Sequence, residues 1–384
     1  MFFSLPEDNA RSCLNQVFGR KRKGIFIEQS EFSFLVARTS SPEPPFTIEA
    51  MGELPLQSGA TGAAYFGGLL EFGSNPFLQA VCGVHPANRF VRLHEVESPA
   101  KVRDPKHFEE VLKNKFSIDT TAVDVDILLA HTGKRFDFTS SSHKSFVFCG
   151  APREAFLSAQ TALLAKGIYP TRLELSTIST IGAVLHYAHS FAIKEPILFL
   201  ELGIHEAVLF ILHEGRLEEA VKIQRGIESI FPHLQEELGL KDISSAQRLF
   251  YSNTFDFTDL GPRLLSELIR EVQALTGSYE VRTGQLVEYC FVSLLPRNLA
   301  WISQTLATSL GLQPLRTDYV SWLRMLDIEV DDGVDLTNRG PRWMGLFGLM
   351  AQCVNIYDAE ESLVNNDEAT DKQEETADST TVAN

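Results

Sequence analysis

The chain has 384 residues, with 34 Lys and Arg against 50 Asp and Glu, a net charge of −16, and 44% hydrophobic and 22% charged residues. That is the profile of an ordinary globular protein of about two domains, and it excludes a fibrous or largely disordered chain. No apolar run reaches the ~18 residues of a spanning helix, the best candidate (286–302) being broken by Glu288, Pro296 and Arg297, and the N-terminus MFFSLPEDNA carries acids where an export signal has bases, so a soluble, non-exported protein is expected.

Residues 1–19 read as a short, partly helical leader, followed by the basic run Arg20, Lys21, Arg22 and Lys23. Three strand-like segments come next, Gly24-IFIEQ, Glu31-FSFLVART and Pro45-FTIEAMGELPL, which form an antiparallel meander. The Gly/Ala-rich stretch 59–73 reads as a helix, and the apolar run 77–84 as a buried strand closed by His85-Pro86. Residues 89–166 have the pattern of a separate α+β insert, with strands at 90–96, 123–131 and 145–149 and helices at 105–116 and 153–166. A strand at 171–175 and a helix at 176–190 follow. The opening pattern then returns as Ile197-LFLELG, Glu206-AVLFILHEG and Arg216-LEEAVKIQRG, with a Glu214-Gly215 hairpin turn. Helices at 227–238 and 262–275, a strand at 286–293 and helices at 298–310 and 343–354 complete the series. Two halves with the same order of elements indicate a duplicated α/β fold. The last stretch, 357–384, holds nine acids against the single base Lys372, and with so few apolar groups it is expected to be a disordered tail.

The five cysteines (13, 82, 149, 290 and 353) are scattered with no CxxC pair, so reduced, buried thiols are expected rather than a zinc site or disulfides. No phosphate-loop, dinucleotide, nucleophile-elbow or zinc-protease motif occurs. His186 and His189 have helical metal-ligand spacing but no third ligand, and Asp331-Asp332-Gly333-Val334-Asp335 has the wrong register for a calcium loop. The acidic balance argues against nucleic-acid binding.

Many weak signals share one order and spacing: Phe18-GRKRKG before the first strand, CGAPREAFLSAQTALLAKGIYPTRLEL at 149–175, the segments 197–225 and 262–312, and the closing Trp343-MGLFGLMAQ. In these the chain, over 1–356, resembles the PilM family, actin-like cytoplasmic proteins of type IV pilus assembly related to the division protein FtsA. The resemblance implies an actin-like, RNase H-like fold of two lobes with an FtsA-like inserted subdomain. The first lobe would comprise 24–88, 167–194 and the closing helix 340–356. The insert would be 89–166 and the second lobe 195–339, after a leader at 1–23. It further implies a nucleotide cleft between the lobes, a place at the inner face of the inner membrane, and a PilN-like partner whose N-terminal tail is held there, with other platform or motor proteins as further partners.

The nucleotide loops of that family depart from pattern in this chain. Where the family reads G-I-D-I-G-S-S-S-V-K, this chain runs from Gly24 through Ser30 to Ser33, with Phe26 at the metal-side acid, Glu28 at the phosphate-facing glycine and Ser33 at the lysine. Glu201 and Gly203 stand in the second hairpin, with Ala207 at its hydroxyl position, and Ser293, Leu294 and Leu295 in the glycine-rich adenosine loop. The two leucines are expected to project into the nucleotide's space. A non-catalytic scaffold that has lost Mg-ATP is therefore expected, with no metal. An active ATPase with divergent loops and a cytoplasmic type II secretion component are the alternatives. Arg89, Phe90 and Arg92 are candidates for a partner groove between first lobe and insert. Arg20 to Lys23 serve either as a contact to anionic lipid, giving peripheral membrane association, or as a solvated lead-in.

Overall fold

The computed structural model describes residues 22–56, 59–72, 76–96, 99–138, 144–252 and 254–354. The expectations for the leader, for Arg20 and Lys21, for Cys13 and for the acidic stretch 357–384 lie outside these residues. Among the described residues no helix is long and apolar enough to cross a membrane.

The first lobe is built on strands β1 (Gly24–Gln29), β2 (Ser33–Thr39), β3 (Thr47–Pro55) and β4 (Leu78–Val84). The insert contributes β5 (Phe90–Glu95), β6 (Val123–Leu129) and β7 (Ser145–Pro152). Helix α1 (Arg153–Ala165) leads to β8 (Ile168–Leu175) and helix α2 (Ser176–Ser190). The second lobe holds β9 (Ile197–Leu202), β10 (Ala207–His213), β11 (Arg216–Ile223), β12 (Tyr289–Ser293) and β13 (Gln313–Pro314). The sheets run β14-β3-β2-β1-β4-β8 and β11-β10-β9-β12-β13, where β14 is Glu329–Val330. In both, a central strand pairs antiparallel with the next, which pairs antiparallel with the third of the meander, and the central strand pairs parallel with a later strand on its other side. The duplication read from element order is thus present over five strands of each sheet, with β14 an added edge strand beside β3.

The reason for the local structure is legible in β1. Successive side chains alternate faces, so Ile25 and Ile27 enter one core with Phe34, Val36 and Leu163, while Phe26 enters the larger core with Phe46, Ile48, Phe347 and Leu349. That larger core receives the last helix, 344–354, whose Met344, Leu346, Phe347, Leu349 and Met350 are fully buried. The insert's small sheet, β5-β7-β6, has an aromatic core of Phe108, Phe136, Phe146 and Phe148 with ring centroids 4.9–5.7 Å apart.

Several expectations need correction. The stretch 59–73 forms only one short helical turn at Gly62–Phe66, because Gly62 and Gly67 both take left-handed φ values and interrupt it. The insert helix at 105–116 is α-helical to Glu110 and then widens into a π turn, Val111–Lys115. The segment at 153–165 packs Leu163, Phe156 and Ala159 into the first lobe's core, so it belongs with that lobe and not with the insert. The helix expected at 262–275 is one turn, Gly261–Leu264, followed by α5 (Ser266–Thr283), after α3 (Ile230–Leu238) and the unforeseen α4 (Ile243–Tyr251). Helix α6 (Ala300–Leu310) is as read, and α7 (Tyr319–Met325) was not foreseen.

Candidate functional site: the cleft between the lobes

The duplicated central strands carry the same short pattern, Phe-Ile-Glu at 26–28 and Phe-Leu-Glu at 199–201. Both phenylalanines enter the same core, and both glutamates are buried, at 3% and 0% exposure. Because the two lobes face each other, these two carboxylates converge on His85, which leaves the end of β4. His85 Nε2 lies 3.0 Å from Glu28 Oε1, and its Nδ1 lies 3.7 Å from Glu201 Oε1.

A buried arginine completes the cluster. A tight turn with Asn88 at φ +56 brings Arg89 inward just before β5. Its Nε and Nη2 donate to Glu201 Oε2 at 3.3 and 3.1 Å, and Nε also donates to Thr177 Oγ1 at 3.1 Å. The Thr177 hydroxyl donates to the same carboxylate oxygen at 2.9 Å. Thr177 lies in the first turn of α2, where the helix's positive end favours an anion. Arg89 and Glu201 thus form a charge pair removed from water, with each hydrogen bond strengthened by the low local dielectric.

Glu28 and His85 are arranged differently. Burial raises the Glu28 carboxyl to about 8, and the neighbouring Ser176 hydroxyl and Leu346 amide only partly oppose this. Burial also lowers His85 to about 4, although Glu201 pulls the other way. At neutral pH the pair is therefore a carboxylic acid donating to a neutral imidazole, and no second full charge is buried. The Glu28 side chain lies against the start of the last helix: a Cβ on Gly345 would stand 2.2 Å from Glu28 Oε1 and 2.7 Å from Thr180 Oγ1. Gly345→Ala is expected to cost about 1–3 kcal/mol by overpacking, readable as a lower urea midpoint with an unchanged m-value.

The hairpin tip between β1 and β2 crosses to the other lobe. Glu31 Oε2 accepts the Ile204 amide N–H at 2.6 Å, and Phe32 packs on the second lobe's core. Ser30 uses its hydroxyl within the turn, accepting from the amides of Phe32 and Ser33, both at 3.2 Å. The Ile204 amide sits in the β9–β10 turn, where a nucleotide-binding member of this fold would offer backbone N–H groups to phosphate. Here a carboxylate from the protein's own chain takes it. Gly203 admits that carboxylate, since a Cβ there would meet Glu31 Oε2 at 3.0 Å. At the positions where that family holds Mg-ATP, Phe26 is core, Glu28 and His85 are buried inside the cleft, and Glu31 holds the loop.

The remaining expected positions are distributed as follows. Gly24 is required by close approach, a Cβ there standing 2.2 Å from Thr39 Oγ1. Ser33 donates to Glu53 Oε1 at 2.9 Å, and Ala207 is buried in the second lobe. Ser293 is buried at the end of β12, paired in register with Glu201. Leu294 holds a left-handed backbone, φ +71, at a position where the family has glycine, and is buried. Leu295 does not project into the cleft as expected; it turns into the second lobe's core beside Val292 and Leu299. Arg89 lines the same crevice as Phe90 and Arg92, with its guanidinium engaged on Glu201. Phe90 and Arg92 flank a crevice of about 10 Å³ beside Thr177, Phe210 and Lys222, room for about one water and no more. Arg22 and Lys23 are exposed, and Lys23 pairs with Glu49. His186 accepts from Trp322 Nε1 at 3.0 Å, and among the described residues no group of His, Cys, Asp and Glu could hold a metal. The four described cysteines are free and buried.

The sequence reading missed His85, Arg89's inward role and Glu31. The repeated Phe-x-Glu at equivalent strand positions was the signal available: two acids ending two buried strands require a common partner.

No family model and no curated protein matches the chain. Solved structures do. A chain of the PilM-PilN type IV pilus biogenesis complex is 15% identical, with a TM-score of 0.58, covering 87% of this chain and 99% of that one. A Bacteroides thetaiotaomicron protein with an actin-like ATPase fold is 6% identical, with a TM-score of 0.39 over 81% of this chain and 93% of that one. The cytoplasmic domain of EpsL, an inner-membrane component of the Vibrio cholerae type II secretion system, is 11% identical, with a TM-score of 0.35 over 75% and 94%. With its two sheets of one topology and this likeness to PilM, the chain has the actin-like fold, its cleft closed by its own side chains.

Proposed function

We propose that this chain is a non-catalytic scaffold at the inner-membrane face of a type IV pilus or related secretion platform, holding the N-terminal cytoplasmic tail of a PilN-like membrane protein. The observation that carries the non-catalytic part is the Glu31 carboxylate on the Ile204 amide, 2.6 Å away. A phosphate brought to about 4 Å from that carboxylate would meet a repulsion of about 4 kcal/mol at a surface-like dielectric. Glu28 and His85 occupy the adjoining space. The platform part is supported by the fold's likeness to PilM, in a complex with PilN, over nearly all of that chain.

Thermal unfolding with and without millimolar Mg-ATP tests the first part. The expected result is no shift. A ligand at about 100 times its dissociation constant would add about 2.7 kcal/mol, a rise of several degrees, and a magnesium-dependent rise of that size would restore the ATPase reading. The second part is tested by calorimetric titration with a synthetic N-terminal tail of the PilN-like protein from the same source. Micromolar binding is expected, and absence of heat and of competition at millimolar peptide would overturn it.

A further inference from the structure

Beyond the closed centre of the cleft, its outer end remains open. A cavity of about 420 Å³ is lined there by Glu53, Pro296, Arg297, Asn298 and Arg342. Its charge is unbalanced. Glu53 is the acid of the wall and is already engaged, paired with Arg342 and accepting from Ser33. Arg297 is exposed and has no ion pair among the described residues. Arg339, stacked 4.6 Å over Trp343 and donating to the Asp335 backbone oxygen, lies near the wall but faces the Asp335 charge. In a chain of net charge −16 this is an excess of positive charge around a cavity of ligand size.

We infer that this cavity binds carboxylates of an acidic segment, and that the segment is this chain's own 358–378. The exposed Arg297 guanidinium supplies planar, forked donors suited to a carboxylate, beside the Arg342–Glu53 pair. Burial lowers the pKa of Arg342 and the Glu53 charge opposes this, while Arg339 and Arg297 act in the same direction as burial, so a further anion at the cavity favours the charged guanidinium. Residues 357–384 carry nine acids and one base. The described chain ends at residue 354, one helix away from Arg342, about 18 Å at 1.5 Å per residue. About six extended residues retrace that distance, so carboxylates from Glu361 onward are within reach. A tethered segment has an effective concentration in the millimolar range, so an intrinsically weak site is filled. The inference stands independently of the pilus-platform reading.

A photo-cross-linker tests it in the full chain, with Val364→benzoylphenylalanine as the probe and mass spectrometry as the readout. Cross-links within one chain to residues 293–299 and 339–343 are expected. They should fall several-fold in 0.5 M NaCl and with Arg297→Glu, an exposed residue whose loss leaves the Arg342–Glu53 pair intact. Cross-links elsewhere on the surface, or a yield indifferent to salt and to Arg297→Glu, would overturn the site. Cross-links to the same residues in a covalent dimer would overturn the intramolecular assignment and give the seat to a second copy.

Discussion

Arg89→Ala is expected to lower stability by about 3–5 kcal/mol, the loss seen when one partner of a buried ion pair is removed and the other stays behind. The physical reason is the position of Glu201, 0% exposed and left with the Thr177 hydroxyl after the guanidinium is gone. The size of that loss does not measure what the pair contributes, because forming it required desolvating both ions. Replacing both, with Arg89→Met and Glu201→Leu together, is therefore expected to recover most of the stability. Urea unfolding of the two single variants and the double variant gives the coupling energy. A double variant as unstable as the sum of the singles would show that the pair is not the source of the effect.

Glu28→Gln is expected to be more stable than the parent by an amount that grows with pH. Glu28 goes from 4.5 in the unfolded chain to about 8 in the fold, so between those values the native state holds a proton that the unfolded state has lost, and the parent loses about 1.4 kcal/mol per pH unit through this group. His85 falls from 6.5 to about 4, so between those values the unfolded chain holds the extra proton and stability rises with pH. The two slopes cancel from about 4.5 to 6.5, where folding moves a proton from histidine to glutamate with no net uptake. Above pH 6.5 only the glutamate slope remains, and the parent should weaken up to about pH 8. Glutamine cannot ionise and keeps a donor toward His85, so the variant should keep the histidine slope alone and stay flat above pH 6.5. Urea midpoints from pH 5 to 8.5 are the measurement, and parallel curves for parent and variant would refute the neutral-acid assignment.

The fold was largely legible because its signals are local. Period-two alternation and short apolar runs marked the strands, and the order of two meanders gave the duplication. Helices α4 and α7 are only 9 and 7 residues long, too short for a helical period to stand out, and the available sign was their caps: Asp242 accepts from the Ser245 amide at 2.7 Å and Asp318 from the Ser321 amide at 3.1 Å. The cleft was half legible. Phe26, Glu28 and Leu294 were legible as departures from the family's nucleotide loops from their identities alone. What fills the space depends on partners far apart in sequence, His85 being 57 residues from Glu28 and Arg89 112 from Glu201. No window of local pattern spans those separations. Leu295 was misplaced for a related reason: a left-handed residue at 294 reverses the chain and sends the next side chain into the core.

The crossing of Glu31 and Phe32 from one lobe to the other also has a mechanical meaning. In a hinged two-lobe protein, load applied to one lobe is absorbed by opening. Here the lobes share one apolar core and are also tied across the cleft by directional contacts, Glu31 to Ile204 and Arg89 to Glu201, whose energy falls steeply once they stretch beyond normal hydrogen-bond length. Opening the two lobes therefore means breaking both polar contacts and exposing part of that shared core, so the joint resists a small load by distance-sensitive bonds and a large one by buried area.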